Sequence, residues 1–362
     1  IAQCLVGSEM CIRDRDILKH GILGLLLSCL LLACRQSKTR QFNVTHNETF
    51  SIIKQTNGNK PFCITLVDST QALSQKFIER LKCGGWICPT ASYNIVDINL
   101  PQNKWYTKWL VPVSLPLTCV FTSDGHLVDL IPGAAKESFL YVQKALTDLQ
   151  MTEYHYPNRF SMPKKKLIPL FDRILDCNTG LKEGIYLKEE LGHIYDSLPY
   201  PYPYYIGLVG ALAENDTIAA LALARSMTDL ENPYYMEIFR DEFIMAKKTI
   251  NPHFNVKDEA TVRIHPTRIL LSNCLPGIEK PFTISIFNDG KRPLNVSKIF
   301  KSCSCLELKS HQGEFTIAPE DSVQIDFVFN SAEKGEFIRD IFITSNAINN
   351  PILYLEVLAE VQ

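Results

Sequence analysis

The spacing of apolar residues changes along this chain, and each change marks a different kind of segment. Residues 19–34 read KHGILGLLLSCLLLAC, a short basic stretch followed by an unbroken apolar run over 21–32. Residues 35–59 are polar, rich in Thr, Asn, Gln and Lys, and read as a tether with one strand over 49–53. From Pro61 the pattern predicts the order β-α-β-α-β-β-α. It gives a buried strand over 62–67, then a helix over 71–82 with Leu73, Phe77, Ile78 and Leu81 on one face. A second buried strand over 93–98 and a short helix over 104–110 follow. Residues 117–121 and 126–131 form a hairpin around Ser123-Asp124-Gly125, and a helix over 134–149 closes the unit.

Over 161–250 the period is helical. Ala219, Ala222, Leu223, Met227 and Leu230 form one apolar face, and Met236, Phe239, Phe243, Ala246 and Ile250 form another. Glu231-Asn232-Pro233 fits the link of an antiparallel helical hairpin; such hairpins resemble tetratricopeptide units, but no repeat of fixed period is present. The string Pro199-Tyr200-Pro201-Tyr202-Pro203-Tyr204-Tyr205 reads either as an aromatic-packed connector or as an extended polyproline segment that docks a partner. From Thr261 the period becomes two: Phe282, Ile284 and Ile286, then Val323, Ile325, Phe327 and Phe329, then Leu353, Leu355, Val357, Ala359 and Val361 alternate with other positions. Turn signals at Asn288-Asp289-Gly290, Pro319-Glu320-Asp321, Lys334-Gly335 and Asn349-Asn350-Pro351 separate about seven strands, the number of a β-sandwich.

Length changes this picture little: 362 residues with 46% hydrophobic content suffice for two or three packed domains. Charge excludes one class, because a net charge of -2 with both signs interspersed gives no basic field for nucleic acid. The 12 cysteines depend on the compartment for their meaning.

The N-terminal pattern supplies a compartment. The apolar run of about a dozen residues is shorter than the roughly 20 that span a bilayer. It ends in Leu31-Leu32-Ala33-Cys34 before the polar run 35–40, and this arrangement resembles a bacterial lipoprotein signal peptide. The resemblance implies cleavage before Cys34, acylation of that cysteine, and a membrane-tethered protein facing the periplasm. Residues 1–15, which include CLVGSEMCIRDR, resemble a translated sequencing-adapter fragment and contribute nothing to the fold.

Two further resemblances follow from motif order. Leu115-Pro116-Leu117-Thr118-Cys119-Val120-Phe121, then Asp124-Gly125, then Pro132-Gly133 before a helix, resemble the second half of a thioredoxin fold. The resemblance covers about 60–150 and implies a cis bond at Pro116. Thioredoxins carry Cys-x-x-Cys at the start of the first helix, where this chain has Asp68-Ser69-Thr70-Gln71-Ala72. A serine hydroxyl does not replace the attacking thiolate of disulfide exchange, so reductase activity is not expected from this position. Near the other end, Asn288-Asp289-Gly290, Pro293-Leu294, Cys303-Ser304-Cys305, Ile317-Ala318-Pro319-Glu320, Gly335 and Ser345-Asn346 resemble a widespread bacterial domain of unknown function with a Cys-Gly-Cys turn. Ser304 stands where that family has glycine.

The expected organisation is therefore multidomain: a signal over 16–33, a tether over 34–59, an α/β thioredoxin-like domain over 60–150, an α-helical region over 161–250 and an all-β immunoglobulin-like sandwich over 261–362. Cys83 and Cys88 in CGGWIC are either a structural disulfide, two unrelated thiols or an alternative redox pair. Cys63 and Cys119 lie on neighbouring strands and are given no role. Cys303 and Cys305 either fix a turn, as thiols or in a disulfide with each other or with Cys274, or bind a soft metal, for which His311, Cys274 and His265 are the further ligands on offer. The histidines His46, His126, His155, His193, His253, His265 and His311 are scattered without metal spacing, and no phosphate loop or nucleophile elbow occurs. The expected function is a non-enzymatic binding or scaffolding module without a cofactor, held to a membrane by its lipid and engaging a protein partner. The alternative is a periplasmic thiol-disulfide oxidoreductase using Cys83 and Cys88. Mass spectrometry of the mature protein is expected to show an acylated N-terminal Cys34; an intact, unmodified peptide spanning Ala33-Cys34 contradicts this.

Overall fold

The computed structural model describes residues 60–82 and 91–362. The expected signal segment, Cys34, the strand over 49–53 and the Cys83 and Cys88 pair lie outside the described residues. The chain divides into two compact units, Ile1–Glu183 and Gly184–Gln362.

In the first unit β1 (Phe62–Val67), β2 (Ser92–Asp97), β3 (Leu117–Phe121) and β4 (Leu127–Pro132) form one sheet in the order β2-β1-β3-β4. β1 runs parallel to β2 and antiparallel to β3, and β3 and β4 form the expected hairpin. Every residue of β1 is buried, which is what a continuous apolar run dictates when both sheet faces are covered. Helices α1 (Ala72–Lys82) and α3 (Lys136–Asp148) cover one face: Val67 packs with Phe77, Leu81 and Phe139, and Cys63 with Val142, Ala145 and Leu146. Helix α2 (Lys104–Leu110) covers the other through Trp109, whose ring lies against Phe121 and Phe171. Phe171 belongs to α4 (Lys164–Lys182), the first helix of the 161–250 segment, and its carbonyl accepts from Trp109 Nε1 at 2.9 Å.

A buried carboxylate fixes where α4 begins. Asp129 on β4 is fully buried, so its charge needs partners. Lys164 Nζ lies 2.6 Å from Oδ1, and Thr152 donates to Oδ2 from its backbone N–H at 2.8 Å and its hydroxyl at 2.6 Å. One side chain thereby ties β4, the connector after α3 and the first turn of α4.

The second unit opens with α5 (Lys188–Ser197), α6 (Pro201–Ala213), α7 (Thr217–Thr228) and α8 (Pro233–Ile250). The tyrosine and proline string is not an extended polyproline segment: Pro199 and the extended Tyr200 lead into α6, and Pro201 to Tyr205 form its start. Pro201 and Pro203 fit there because the first N–H groups of a helix have no intrahelical acceptor. Asp216 and Asn232 cap α7 and α8 by accepting from Ala219 and Tyr235 N–H at 3.0 and 2.9 Å. The inward face of α7 is Ala220, Ala224 and Met227, with Ala222 exposed, so the expected stripe is rotated. An alternating alanine and leucine run leaves the phase of a helical stripe weakly determined. On α8 the expected Met236, Phe239, Phe243 and Ala246 are buried, together with Glu242, while Ile250 is partly exposed. Arg240 Nε donates to the Ile348 carbonyl at 2.7 Å, joining α8 to a turn of the sandwich.

The sandwich comprises β5 (Val262–His265), β6 (Arg268–Cys274), β7 (Lys280–Asn288), β8 (Leu294–Lys301), β9 (Leu306–Leu308), β10 (Phe315–Ile317), β11 (Ser322–Phe329), β12 (Gly335–Ser345) and β13 (Ile352–Val361). One sheet has the order β10-β8-β12-β13-β6 and the other β5-β7-β11-β9. The strands outnumber the expected seven because the short β9 and β10, of three residues each, lie within what reads as loop. Ile284, Ile286, Ile325, Phe327, Phe329, Leu353, Leu355, Val357, Ala359 and Val361 all point into the core, as their period of two requires.

Asn288, at the end of β7, is fully buried. Its Nδ2 donates to the carbonyls of Arg292, Ile317 and Ala318 at 2.8, 3.1 and 3.1 Å, and its Oδ1 accepts from Gly290 N–H at 3.0 Å. The side chain thus joins β7 of one sheet to the approach to β8 and the end of β10 in the other. Gly290 is required beside it, because a Cβ there would meet the Glu259 carbonyl. Removing the amide leaves several buried backbone groups unsatisfied, each at a cost of about 1–3 kcal/mol. Asn288→Ala is expected to destabilise the sandwich by about 2–4 kcal/mol in denaturant unfolding followed by circular dichroism. A loss well below about 1 kcal/mol contradicts the assignment.

Candidate functional site

The segment expected from the sequence at a thioredoxin-type redox position, Asp68 to Ala72, lies at the carboxyl end of β1. Asp68, the turn residues Thr70 and Gln71 before α1, and Asn99 form a closed polar network there. The Asp68 carboxylate accepts from Thr70 N–H at 3.0 Å, Thr70 Oγ1 at 2.6 Å, Gln71 Nε2 at 2.8 Å and Asn99 Nδ2 at 2.7 Å. Burial acts to raise its pKa, but the hydrogen bonds from Thr70, Asn99 and Gln71 outweigh it and hold the carboxyl below its ordinary value. A carboxylate engaged in this way is a brace and not a poised base. Ser69 and Gln75 continue the network, Gln75 Nε2 donating to the Ser69 carbonyl at 3.1 Å.

The Leu115–Pro116 peptide bond at the start of β3 is cis. Cys63 and Cys119 are both buried on adjacent strands. Register separates them: Cys119 pairs with Ile64 and Cys63 with Val120, so the two sulfurs point to opposite faces of the sheet. Burial pushes the Cys119 thiol far above its ordinary pKa, which leaves no nucleophilic thiolate.

One grouping arises that histidine spacing did not signal. His126, Asp172 and Asp176 bring one ligand atom each to within 4.8 Å of one another. His126 comes from the β3–β4 turn and the aspartates from α4, a separation of 46 residues for the closest pair, so only the i and i+4 spacing of the aspartates was visible in the sequence. The Asp172 carboxylate is committed to the turn: its Oδ1 accepts from Leu127 N–H at 2.7 Å and its Oδ2 lies 3.0 Å from His126 Nδ1. This is the geometry of an ion-pair brace.

The sandwich places Cys303 and Cys305 where β8 of one sheet gives way to β9 of the other, and the two are joined in a disulfide. Cys274 is not part of it; its buried thiol donates to the Leu271 carbonyl at 3.6 Å. His311 packs its ring on Phe315 with centroids 4.9 Å apart. Sulfurs bonded to each other offer no thiolate to a metal, so a metal reading applies only to the reduced pair. Both cysteines are half-buried against the sandwich core, while Ser302 and Ser304 beside them are exposed. Hydrogen bonds hold the chain on both sides. Ser302 N–H donates to the Asp340 carbonyl at 2.9 Å and Asp340 N–H to Ser302 Oγ at 2.8 Å, while Asn330 N–H donates to the Cys305 carbonyl at 2.9 Å. A disulfide closing so short a loop removes little unfolded-chain entropy: about 1.5 kcal/mol, against about 3 kcal/mol for a 15-residue loop.

Two packed sheets of this topology define an immunoglobulin-like β-sandwich. Residues 269–361 within it match the sequence family described as protein of unknown function (DUF1573). A comparison with curated proteins finds no match. Among solved structures, the chain is similar to a protein of unknown function from Porphyromonas gingivalis W83, at 19% identity over 30% of this chain and 50% of that chain, with a TM-score of 0.26. It spans about half the length of that protein. A PapD-like domain of human CEP192 is similar at 8% identity over 30% of this chain and 89% of that one, with a TM-score of 0.26. The E. coli chaperone DraB is similar at 13% identity over 28% and 54% of the two chains, with a TM-score of 0.22.

The His126 brace generates a prediction. The hydrogen bond to Asp172 is the largest influence on His126 and raises its pKa above 6.5. A raised histidine pKa contributes stability below the unfolded value, and that contribution fades as pH climbs through the folded value. NMR titration is expected to place the His126 midpoint above 6.5 and to move it down in Asp172→Asn. An unchanged midpoint in the variant contradicts the pairing.

Proposed function

We propose that this chain is a cell-envelope lipoprotein, anchored through acylated Cys34 and facing the periplasm, whose folded units serve as non-enzymatic binding or scaffolding modules for a protein partner. The Leu31-Leu32-Ala33-Cys34 string supports the anchor, and acyl chains supply roughly 0.8 kcal/mol per buried CH₂. In this reading the first unit is thioredoxin-like. Its β2-β1-β3-β4 order, with β1 parallel to β2 and helices on both faces, supports that assignment.

The observation that carries the non-enzymatic reading is the closed network at Asp68. The position that must hold a low-pKa thiol for disulfide exchange has Ser69 and Ala72 instead, and its polar groups are spent on one another. The competing reading assigns thiol-disulfide chemistry to Cys83 and Cys88. The two readings separate in an insulin-disulfide reduction assay on the full chain. The wild type and a Cys83→Ser/Cys88→Ser variant are expected to show the same rate; turnover that disappears in the variant overturns the proposal.

A further inference from the structure

We propose that the Cys303–Cys305 disulfide is a thiol-disulfide exchange site, reduced and re-formed by a protein dithiol while the sandwich around it stays folded. This goes beyond the binding role proposed for the chain: it places a redox input on a binding module, at a sheet crossing of the second unit, and rests on different residues from the proposed thioredoxin-like position.

Three features of the site carry the inference. The first is access. The pair sits in a half-buried turn flanked by the exposed Ser302 and Ser304, and an attacking thiolate must approach along the axis of the disulfide, which a surface turn permits. By contrast Cys63, Cys119, Cys177 and Cys274 are all buried, so exchange at the turn does not spread to them.

The second is that the disulfide is not what holds the crossing. The cysteines are two positions apart, so the covalent loop restrains little more than Ser304. The chain on either side is fixed independently, through Ser302 with Asp340 on β12 and through Cys305 with Asn330 at the end of β11. Opening the S–S bond therefore leaves both flanks in place.

The third follows from the second. With both flanks fixed, the reduced thiols stay close, and the pair is pre-organised to close again.

The exchange balances without a further reactant. A thiolate of the donor dithiol attacks one sulfur of the pair, forming a mixed disulfide and breaking the Cys303–Cys305 bond, and the displaced sulfur leaves as a thiolate that takes up a proton. The donor's second thiolate then attacks the donor sulfur of the mixed disulfide, releasing the other cysteine, which is also protonated. The donor leaves as a disulfide, and two electrons and two protons have passed to the chain.

The test uses the full chain with Cys83→Ser/Cys88→Ser, so that no dithiol is consumed at that pair. Dithiothreitol is the donor, native-state alkylation with peptide mass spectrometry reads the cysteines, and far-UV circular dichroism reads the fold. Cys303 and Cys305 are expected to become alkylated together while the spectrum is unchanged and Cys63, Cys119, Cys177 and Cys274 stay unlabelled; removing the dithiol and adding oxidised glutathione is expected to restore protection. A further Cys303→Ser/Cys305→Ser exchange is expected to abolish the consumption of one dithiol equivalent per chain. A pair that stays bonded until the spectrum is lost, or that is labelled only together with the buried cysteines, overturns the proposal. Insulin reduction turns on Cys83 and Cys88 and this test on Cys303 and Cys305, so either proposal can fail alone.

Discussion

The sandwich is governed by the requirement that its chain change sheets at every step from β5 to β12. β5, β7, β9 and β11 belong to one sheet, and β6, β8, β10 and β12 to the other, so no two consecutive strands in this stretch are neighbours. Each crossing carries backbone N–H and C=O groups past the edge of an apolar core, where an unpaired polar group is costly. The crossings are therefore where the polar contacts concentrate. Asn288 serves one of them, and the Gly277 N–H donates to the Ser331 carbonyl at 2.8 Å, joining two others. Ser302 with Asp340, and Cys305 with Asn330, hold the crossing that carries the disulfide.

The first unit solves a different problem. Its central strand is buried on both faces, so buried polar groups there are paired, as Thr65 with Thr118 at 2.9 Å, while carboxylates sit at the sheet end and on β4. Asp129 holds β4 to α4, and Asp68 closes the loop between β1 and α1. Both carboxylates are consumed by structure. Asp68, at the position that the proposed thioredoxin-like reading assigns to thiol chemistry, is thus a polar brace, while a disulfide stands at a sheet crossing in the other unit. Under the two proposals together, thiol chemistry and thioredoxin-like architecture are separated within one chain.

What the sequence revealed tracks how strongly each pattern constrains its fold. Strands with one buried face were legible residue by residue, because a slip of one position would turn Ile284, Ile325 or Leu355 to solvent. The α7 stripe was misplaced because alanine and leucine alternate along it, and Pro201-Tyr202-Pro203 concealed a helix start. The short β9 and β10 pair across a crossing that local periodicity does not record. The candidate sites were less legible still. Their partners are distant in sequence, as with His126 and Asp172, or depend on register, as with the opposed Cys63 and Cys119. For Cys303 and Cys305 the spacing narrowed the options to a turn, a disulfide or a metal, and the bonded pair is what the fold holds.

If hydrogen-bonded crossings and not the disulfide hold the sandwich together, reduction of Cys303–Cys305 is a local event. Hydrogen-exchange mass spectrometry on the native chain, comparing oxidised and reduced forms, tests this directly. Peptides covering β8, β11 and β12 are expected to keep their protection on reduction, with faster exchange confined to the turn around Ser304. Loss of protection across those strands together would contradict it.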